Sequence, residues 1–191
     1  MNTQVQAVIE ELEKLDTQKE LEEPLYRISR ENGIFLNTLI RMSKSKRILE
    51  IGSSSGYSGL FLAEAARDNG GTVTTCELSP FKIKLARTSY EQAGLEQVIT
   101  LIEGDAKQLA LQLTGPCDFV FIDAWKDDYA HYLEAVWPKV APGGVVTADD
   151  IVSQMNQPGI QAYLQLAQSL SDATTVTVPI DDGVEVTYKQ G

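Results

Sequence analysis

The chain of 191 residues carries 16 basic and 27 acidic side chains, a formal charge of −11. That balance disfavours a nucleic-acid backbone or an anionic membrane surface as partner, because both require a positive patch. Hydrophobic residues make up 43% of the chain, enough for a substantial core in one domain. Cys76 and Cys117 are too few for a disulfide framework and suit a reducing compartment. The opening stretch MNTQVQAVIEELEKL is polar and acidic, unlike a signal peptide, and no apolar run approaches the length of a membrane span. A cytoplasmic protein is expected.

Val5, Val8, Ile9, Leu12 and Leu15 recur at helical spacing, predicting an amphipathic first helix that Pro24 ends or interrupts. Its stripe can cap its own sheet or pair with a second copy in a homodimer. A second helix is predicted from about Gly33 to Met42, with Ile34, Phe35, Leu36, Leu39 and Ile40 on its apolar side. From Arg47 onward strands and helices alternate, the pattern of an α/β protein with a mostly parallel sheet covered on both faces.

Strands are predicted at Ile48–Ile51, Thr72–Cys76, Val98–Ile102, Phe119–Ile122 and Val145–Ala148. Helices fall near Tyr57–Asp68, Pro80–Ala93, Ala106–Leu113 and Asp128–Val140. Ser79-Pro80 is a helix start, since Ser can accept an N-cap bond and Pro at the first helical position loses no needed donor. Gly94 is the matching stop. Pro142-Gly143-Gly144 is expected to turn the chain into the fifth strand. A further helix spans about Gly159–Leu170. Thr174–Val178 and Val184–Tyr188, joined by Pro179–Gly183, read as an antiparallel hairpin. No linker or repeat interrupts the chain, so residues 1–191 are expected to form one domain, with N-terminal helices in 1–44 and the α/β core in 45–191.

The run RILEIGSSSGYSG, from Arg47 to Gly59, carries most of the chemical information. A short apolar strand enters a glycine-serine turn, where glycine permits a sharp bend or a close backbone approach to a ligand. The helix that follows points free N–H groups and a positive dipole end at the same place. Gly52, Gly56 and Gly59 are spaced by four and three, so the dinucleotide fingerprint G-x-G-x-x-G is absent. No lysine lies between Arg47 and Lys82, so no P-loop forms. What remains, E-x-G-x-x-x-G from Glu50 to Gly56, resembles the first motif of S-adenosylmethionine-dependent methyltransferases. A tight strand-to-helix turn with no ligand is the alternative.

Ligands of open α/β sheets sit beyond the carboxyl ends of the strands. The second strand ends in Glu77, a carboxylate able to accept both ribose hydroxyls of an adenosine group. The third is followed by Glu103-Gly104-Asp105-Ala106, placing Asp105 at a helix start near an adenine or, equally, as a plain N-cap. The fourth ends in Asp123-Ala124-Trp125-Lys126 and the fifth in Asp149-Asp150. If these two strands are neighbours, Asp123, Asp149 and Asp150 converge, and carboxylates so close resist ionisation unless a cation bridges them. Such oxygen donors suit Mg²⁺ or Mn²⁺ better than zinc. Asp127 and Asp128 read as solvated charges in a helix's first turn.

With these residues in view, the chain resembles the cation-dependent O-methyltransferases, the group of catechol and caffeoyl-coenzyme A O-methyltransferases and their bacterial relatives. The resemblance runs from about Ile28 to Lys189 through LEIGSSSGYSG, CELSP, EGDA, FVFIDAWKDDY, PGGVVTADD and PIDDGVEVTYK, in that order. It implies a Rossmann-like class I methyltransferase fold, seven strands with the last antiparallel. It further implies that Gly52, Ser54, Gly56 and Ser58 line the methionine part of S-adenosylmethionine with Tyr57 beside them, and that Glu50 also belongs to the cofactor site. Glu77 and Leu78 would lie at the ribose, Asp105 and Ala106 at the adenine, with Trp125 packed on the ring and Asp123 alongside. Asp123, Asp149 and Asp150 would hold Mg²⁺ or Mn²⁺, and Lys126, with a lowered pKa, would be the base beside a vicinal dihydroxy-aromatic acceptor.

Two departures stand out. The family usually has Asn where Asp150 stands, so the ligand set here has a formal charge of −3 before any metal binds. That either tightens cation binding or weakens the acidification of substrate. The segment Ile151–Pro158 is short and polar, so the acceptor pocket is expected to be open. His131 reads as a structural or surface residue and Trp137 as a packing residue. A cation-independent S-adenosylmethionine methyltransferase with another acceptor, and a cofactor-binding protein without catalysis, are the competing readings.

Overall fold

The computed structural model describes residues 1–17, 21–112 and 115–191. Helices α1 (Thr3–Asp16) and α2 (Arg30–Ser43) come first. The core then alternates β1 (Arg47–Ile51), α3 (Tyr57–Asp68), β2 (Thr72–Glu77), α4 (Pro80–Gln92), β3 (Ile99–Glu103), α5 (Ala106–Gln112) and β4 (Cys117–Ile122). It continues through α6 (Tyr129–Val136), β5 (Val140–Ala148), α7 (Pro158–Ser169), β6 (Ala173–Val178) and β7 (Val184–Lys189). The predicted end of α5 at Leu113 lies outside the described residues.

The strands form one sheet in the order β3-β2-β1-β4-β5-β7-β6, with β7 antiparallel to both its neighbours and the others sharing one direction. This is the expected Rossmann-like α/β arrangement. Successive side chains alternate between two cores, because strand side chains point to opposite faces. Ile48, Val73, Phe119 and Phe121 meet α1 to α4. Leu49, Val120, Ile122 and Val146 meet α5 to α7. Burial on both faces explains why the central strands read as continuous apolar runs.

Three elements differ from the sequence reading. Pro142-Gly143-Gly144 lies inside β5 rather than before it, as a bulge where the ladder jumps from Cys117–Val140 to Phe119–Val145. The predicted helix Asp128–Val140 is α6 flanked by 3₁₀ turns at Lys126–Asp128 and Trp137–Lys139, the second coinciding with Pro138, which cannot continue an α-helix. Helix α2 starts earlier than predicted, because the Ser29 side chain accepts the Asn32 N–H and caps it. Among the described residues, no helix is long and apolar enough to cross a membrane.

The apolar stripe of α1 is buried within its own chain, with Val5 and Ile9 fully covered, and packs on α3 and α4. Arg30 clasps Glu13 through two bonds of 2.9 and 2.7 Å, and the Tyr57 hydroxyl donates to the same carboxylate at 2.6 Å. The first helix is thereby tied to the starts of α2 and α3. Ile9→Ala should therefore cost about 2–5 kcal/mol in urea unfolding, with a loss independent of protein concentration. A concentration-dependent loss would place the stripe between two copies instead.

Candidate active site

The sheet ladder continues past the strands at their carboxyl edge. Ser53 N–H donates to Cys76 O, Gly104 N–H to Glu77 O and Asp123 N–H to Ile51 O, each at 2.9 Å, and Asp149 N–H reaches Ile122 O at 3.1 Å. The loops after β1, β3, β4 and β5 are thus each pinned to the end of an adjacent strand. All the segments singled out from sequence meet along this edge.

The glycine turn is shaped mainly by protein. Gly52 has φ +103°, and a Cβ there would lie 2.2 Å from the Asp123 carbonyl oxygen. A Cβ on Gly56 would lie 2.8 Å from the ring of Tyr90, and one on Gly59 2.5 Å from its hydroxyl. That hydroxyl is itself 2.7 Å from Ser53 Oγ. Two of the three glycines therefore make room for a tyrosine of α4. The sequence pattern alone could not distinguish these causes.

Ser54 also adopts a left-handed conformation, φ +47°. Its N–H donates to Glu77 Oε2 at 2.8 Å, and its hydroxyl donates to the carbonyl of Leu25. Glu23 accepts the Ser79 hydroxyl at 2.8 Å. Residues 21–29 consequently form a strap across the ends of β1 and β2, which sequence reasoning missed.

The predicted cofactor residues divide into two groups. Glu77 is half-buried beside the turn, oriented by Ser54 N–H and by the N–H groups of Leu78 and Ser79 at 2.8 and 2.9 Å. Leu78 and Trp125 are 67% and 77% exposed, leaving apolar surface uncovered at the strand ends. Asp105 caps α5, accepting the Lys107 N–H at 2.9 Å, with Ala106 next to it. Glu50 and Tyr57, by contrast, are buried. The Glu50 carboxylate accepts the hydroxyls of Ser58 and Thr75, each at 2.6 Å, and burial pushes its pKa up to about 7. The Tyr57 hydroxyl belongs to the Glu13 clasp. These two side chains support the loop from within the protein.

The aspartates do not gather as expected. The Lys126 ammonium lies between Asp123 Oδ1 at 2.8 Å and Asp150 Oδ2 at 2.7 Å, and donates to the Tyr129 hydroxyl at 2.8 Å. Asp149, 4% exposed, instead accepts a 2.9 Å bond from the side-chain amide of the fully buried Asn32. Among the described residues, no three His, Cys, Asp or Glu side chains are grouped as metal ligands. Burial opposes the charge of Lys126, but Asp123 and Asp150 outweigh it and raise its pKa above the ordinary lysine value. This is opposite to the expected lowering, because two carboxylates bond the ammonium. Burial, reinforced by Asp123 and Asp150, pushes Asp149 up to about 8. Asn32 and Tyr129 are additions to the site. The capping Ser29 three residues before Asn32 was the available signal for the first.

The family model for O-methyltransferases matches residues 1–189. The chain belongs to the O-methyltransferase family. It is 29% identical to a catechol O-methyltransferase of Niastella koreensis over 82% of this chain and 76% of that one. It is 32% identical to a catechol O-methyltransferase of Mycobacterium tuberculosis over 68% of this chain, a match spanning 59% of that relative. With a caffeoyl-CoA O-methyltransferase of Zea mays it shares 30% over 83% of this chain and 64% of the relative. An O-methyltransferase from Bacillus cereus in complex with SAH superposes with a TM-score of 0.85 at 27% identity, over 96% of this chain and 91% of that one. The enzyme class expected from sequence, an S-adenosylmethionine-dependent O-methyltransferase, is the class to which the protein belongs.

In this O-methyltransferase, packing rather than ligand contact should explain Gly59. Gly59→Ala should cost about 1–3 kcal/mol by overpacking, and less in a Tyr90→Phe background, as a double-mutant cycle of urea midpoints would read. Glu50 supplies a pH signature. Its folded pKa of about 7 exceeds the ordinary 4.5, so folded protein holds the proton more tightly. Its stabilising contribution is complete below pH 4.5 and is lost as pH rises to about 7. Glu50→Gln should therefore gain on wild type across that window, by roughly 3 kcal/mol; a pH-independent difference would contradict it.

Proposed function

We propose that the protein transfers the methyl group of S-adenosylmethionine to a hydroxyl of a small acceptor, and that a vicinal dihydroxy-aromatic is the acceptor class. The single observation that carries the reading is Glu77, a carboxylate held by three backbone N–H groups beside the glycine turn, in a chain matched almost end to end by the family. A carboxylate so oriented is built to accept a diol such as the ribose of an adenosine. The names of the relatives from Niastella koreensis, Mycobacterium tuberculosis and Zea mays, catechol and caffeoyl-CoA O-methyltransferase, favour the aromatic acceptor.

The remaining cofactor contacts follow from position. The Gly52–Ser54 turn, with Gly56 and Ser58, would take the methionine end. Asp105 and Ala106 would border the adenine, and the uncovered Leu78 and Trp125 offer apolar surface for its faces. When bound, the sulfonium supplies an electrophilic methyl carbon. The carbon–sulfur bond breaks as the carbon–oxygen bond forms, leaving a neutral thioether. Lys126, a charged ammonium, cannot take the acceptor's proton, which would pass to the second carboxylate oxygen of Asp150, while the Lys126 charge held between Asp123 and Asp150 would stabilise the developing oxyanion. Holding donor and acceptor in line supplies much of the rate, an effect worth up to about 7–11 kcal/mol.

Divalent-cation assistance, which the resemblance implies, would fall to Asp123, Asp149 and Asp150. Their donor set does not fit a cation as it stands: Lys126 bonds two of the carboxylates and Asn32 engages the third.

The test is methyl transfer to a panel of catechols, with Mg²⁺ or Mn²⁺ and then with EDTA, beside S-adenosylhomocysteine binding on the same sample. Product under either condition supports the reading, and binding of NAD instead would overturn it. Glu77→Ala should weaken S-adenosylhomocysteine by about tenfold or more, since a hydrogen bond to a charged group is worth roughly 1.5–3 kcal/mol. Unchanged affinity would remove Glu77 from the site.

A further inference from the structure

We propose that the Lys126 ammonium is itself the resident cation of this site, occupying the seat between Asp123 and Asp150, so that the protein methylates its acceptor without a divalent metal. The inference rests on the methyl-transfer reading above and concerns what neutralises the carboxylates during that reaction.

Four observations carry it. First, the oxygens of Asp123 and Asp150 lie 2.8 and 2.7 Å from one nitrogen. Those are charge-assisted hydrogen-bond lengths, so the ammonium fills the space between the two carboxylates. Second, the ammonium is fully partnered, for its third N–H goes to the Tyr129 hydroxyl at 2.8 Å and its nitrogen stands 4.9 Å from the centre of that ring. Lysine has three donors and no acceptor, so none of its hydrogens is left without a partner. Third, the remaining strand-end carboxylate, Asp149, is directed to the Asn32 amide at 2.9 Å, and Asn32 is fully buried. Recruiting Asp149 to a metal would break a buried hydrogen bond and leave the amide unpartnered.

Fourth, Asp150 is placed for this role by its backbone. Its φ of +63° is a left-handed conformation that bends the chain sharply just after β5, and its carboxylate meets the lysine of a different loop. An amide at position 150 could accept a hydrogen bond from Lys126 but could not neutralise it. A carboxylate does both. With Asp123 and Asp150 sharing one lysine, the seat keeps a net negative charge and still presents a fixed positive charge for a developing oxyanion.

The decisive measurement is Mn²⁺ binding to the purified wild-type protein, followed by the electron paramagnetic resonance signal of free Mn²⁺, beside methyl transfer in EDTA. Wild type should leave Mn²⁺ free and keep its turnover in EDTA. Lys126→Met, which vacates the seat and unpairs both carboxylates, should bind Mn²⁺ at least about tenfold more tightly, a change of 1.4 kcal/mol. Stoichiometric Mn²⁺ binding to wild type, with turnover lost in EDTA, would overturn the proposal. So would a folded Lys126→Met protein that still ignores Mn²⁺, because the seat would then not be shared. If that variant does not fold, Lys126→Gln and the wild-type titration decide the matter. Absence of methyl transfer under every condition would count against the functional reading, while the Mn²⁺ titration would still judge the seat.

Discussion

The crossing of two backbones at Gly52 and Asp123 governs the position of every functional group. β1 and β4 are adjacent in the sheet but far apart in the chain, and the strand order reverses between them. Their exits run so close that a Cβ at position 52 would lie 2.2 Å from the Asp123 carbonyl oxygen. The Asp123 N–H simultaneously bonds Ile51 O at 2.9 Å. A side chain at 52 would have to push these loops apart, and its φ of +103° would itself be strained. Glycine here lets the turn after β1 lie directly against Asp123 and, three residues on, Lys126. The glycine turn and the Asp123–Lys126 segment share one edge because the backbones touch.

Electrostatics then decide what that edge can hold. Asp123, Lys126 and Asp150 form a triplet in which each charge is shielded from water but partnered. Burial of a single charge is costly, and removing one member of such a group commonly costs about 3–5 kcal/mol because its partners remain unpaired. Asp149 faces the same penalty with only a neutral amide beside it. Its pKa, pushed up to about 8, is the expected response. Burial raises the Asp123 pKa as well, opposed by the Lys126 ammonium that bonds it, whereas Asp149 is bonded by a neutral amide.

Much of this was legible in the sequence. Apolar runs located the core strands, and α3 spans Tyr57–Asp68 as its periodicity predicts. Glu77, Asp123, Lys126, Asp149 and Asp150 stand out in the sequence because polar residues at the ends of parallel strands have few structural reasons to be there, and the structure places them along one edge. What stayed hidden depends on contacts between distant residues. Nothing local reveals that Ser54 bonds Leu25, 29 positions away, or that Asn32 bonds Asp149, 117 away. The direction of the Lys126 shift was misread for a related reason. Its neighbours were known, but which of them its nitrogen touches depends on the left-handed turn at Asp150.

The parts of the site farthest from the motifs explain how a short loop after β5 can still be ordered. Ile151 and Val152 donate their N–H groups to the carbonyls of Gly183 and Asp182, both at 2.9 Å, so the hairpin turn holds the loop. A Cβ on Gly183 would lie 2.3 Å from Val152, which makes the glycine a condition of that contact. The same turn reaches the other end of the chain, where Asp181 accepts the Ser29 N–H at 2.7 Å. Ser29 caps α2, and α2 carries Asn32 to Asp149. One hydrogen-bonded path therefore runs from the C-terminal hairpin through the N-terminal strap to the buried aspartate. The loop predicted to leave the acceptor side open is anchored by both termini. On the proposed function, the strap, α2 and the hairpin turn would border the acceptor side, while the glycine turn and strand-end carboxylates would serve the methyl donor and the transfer.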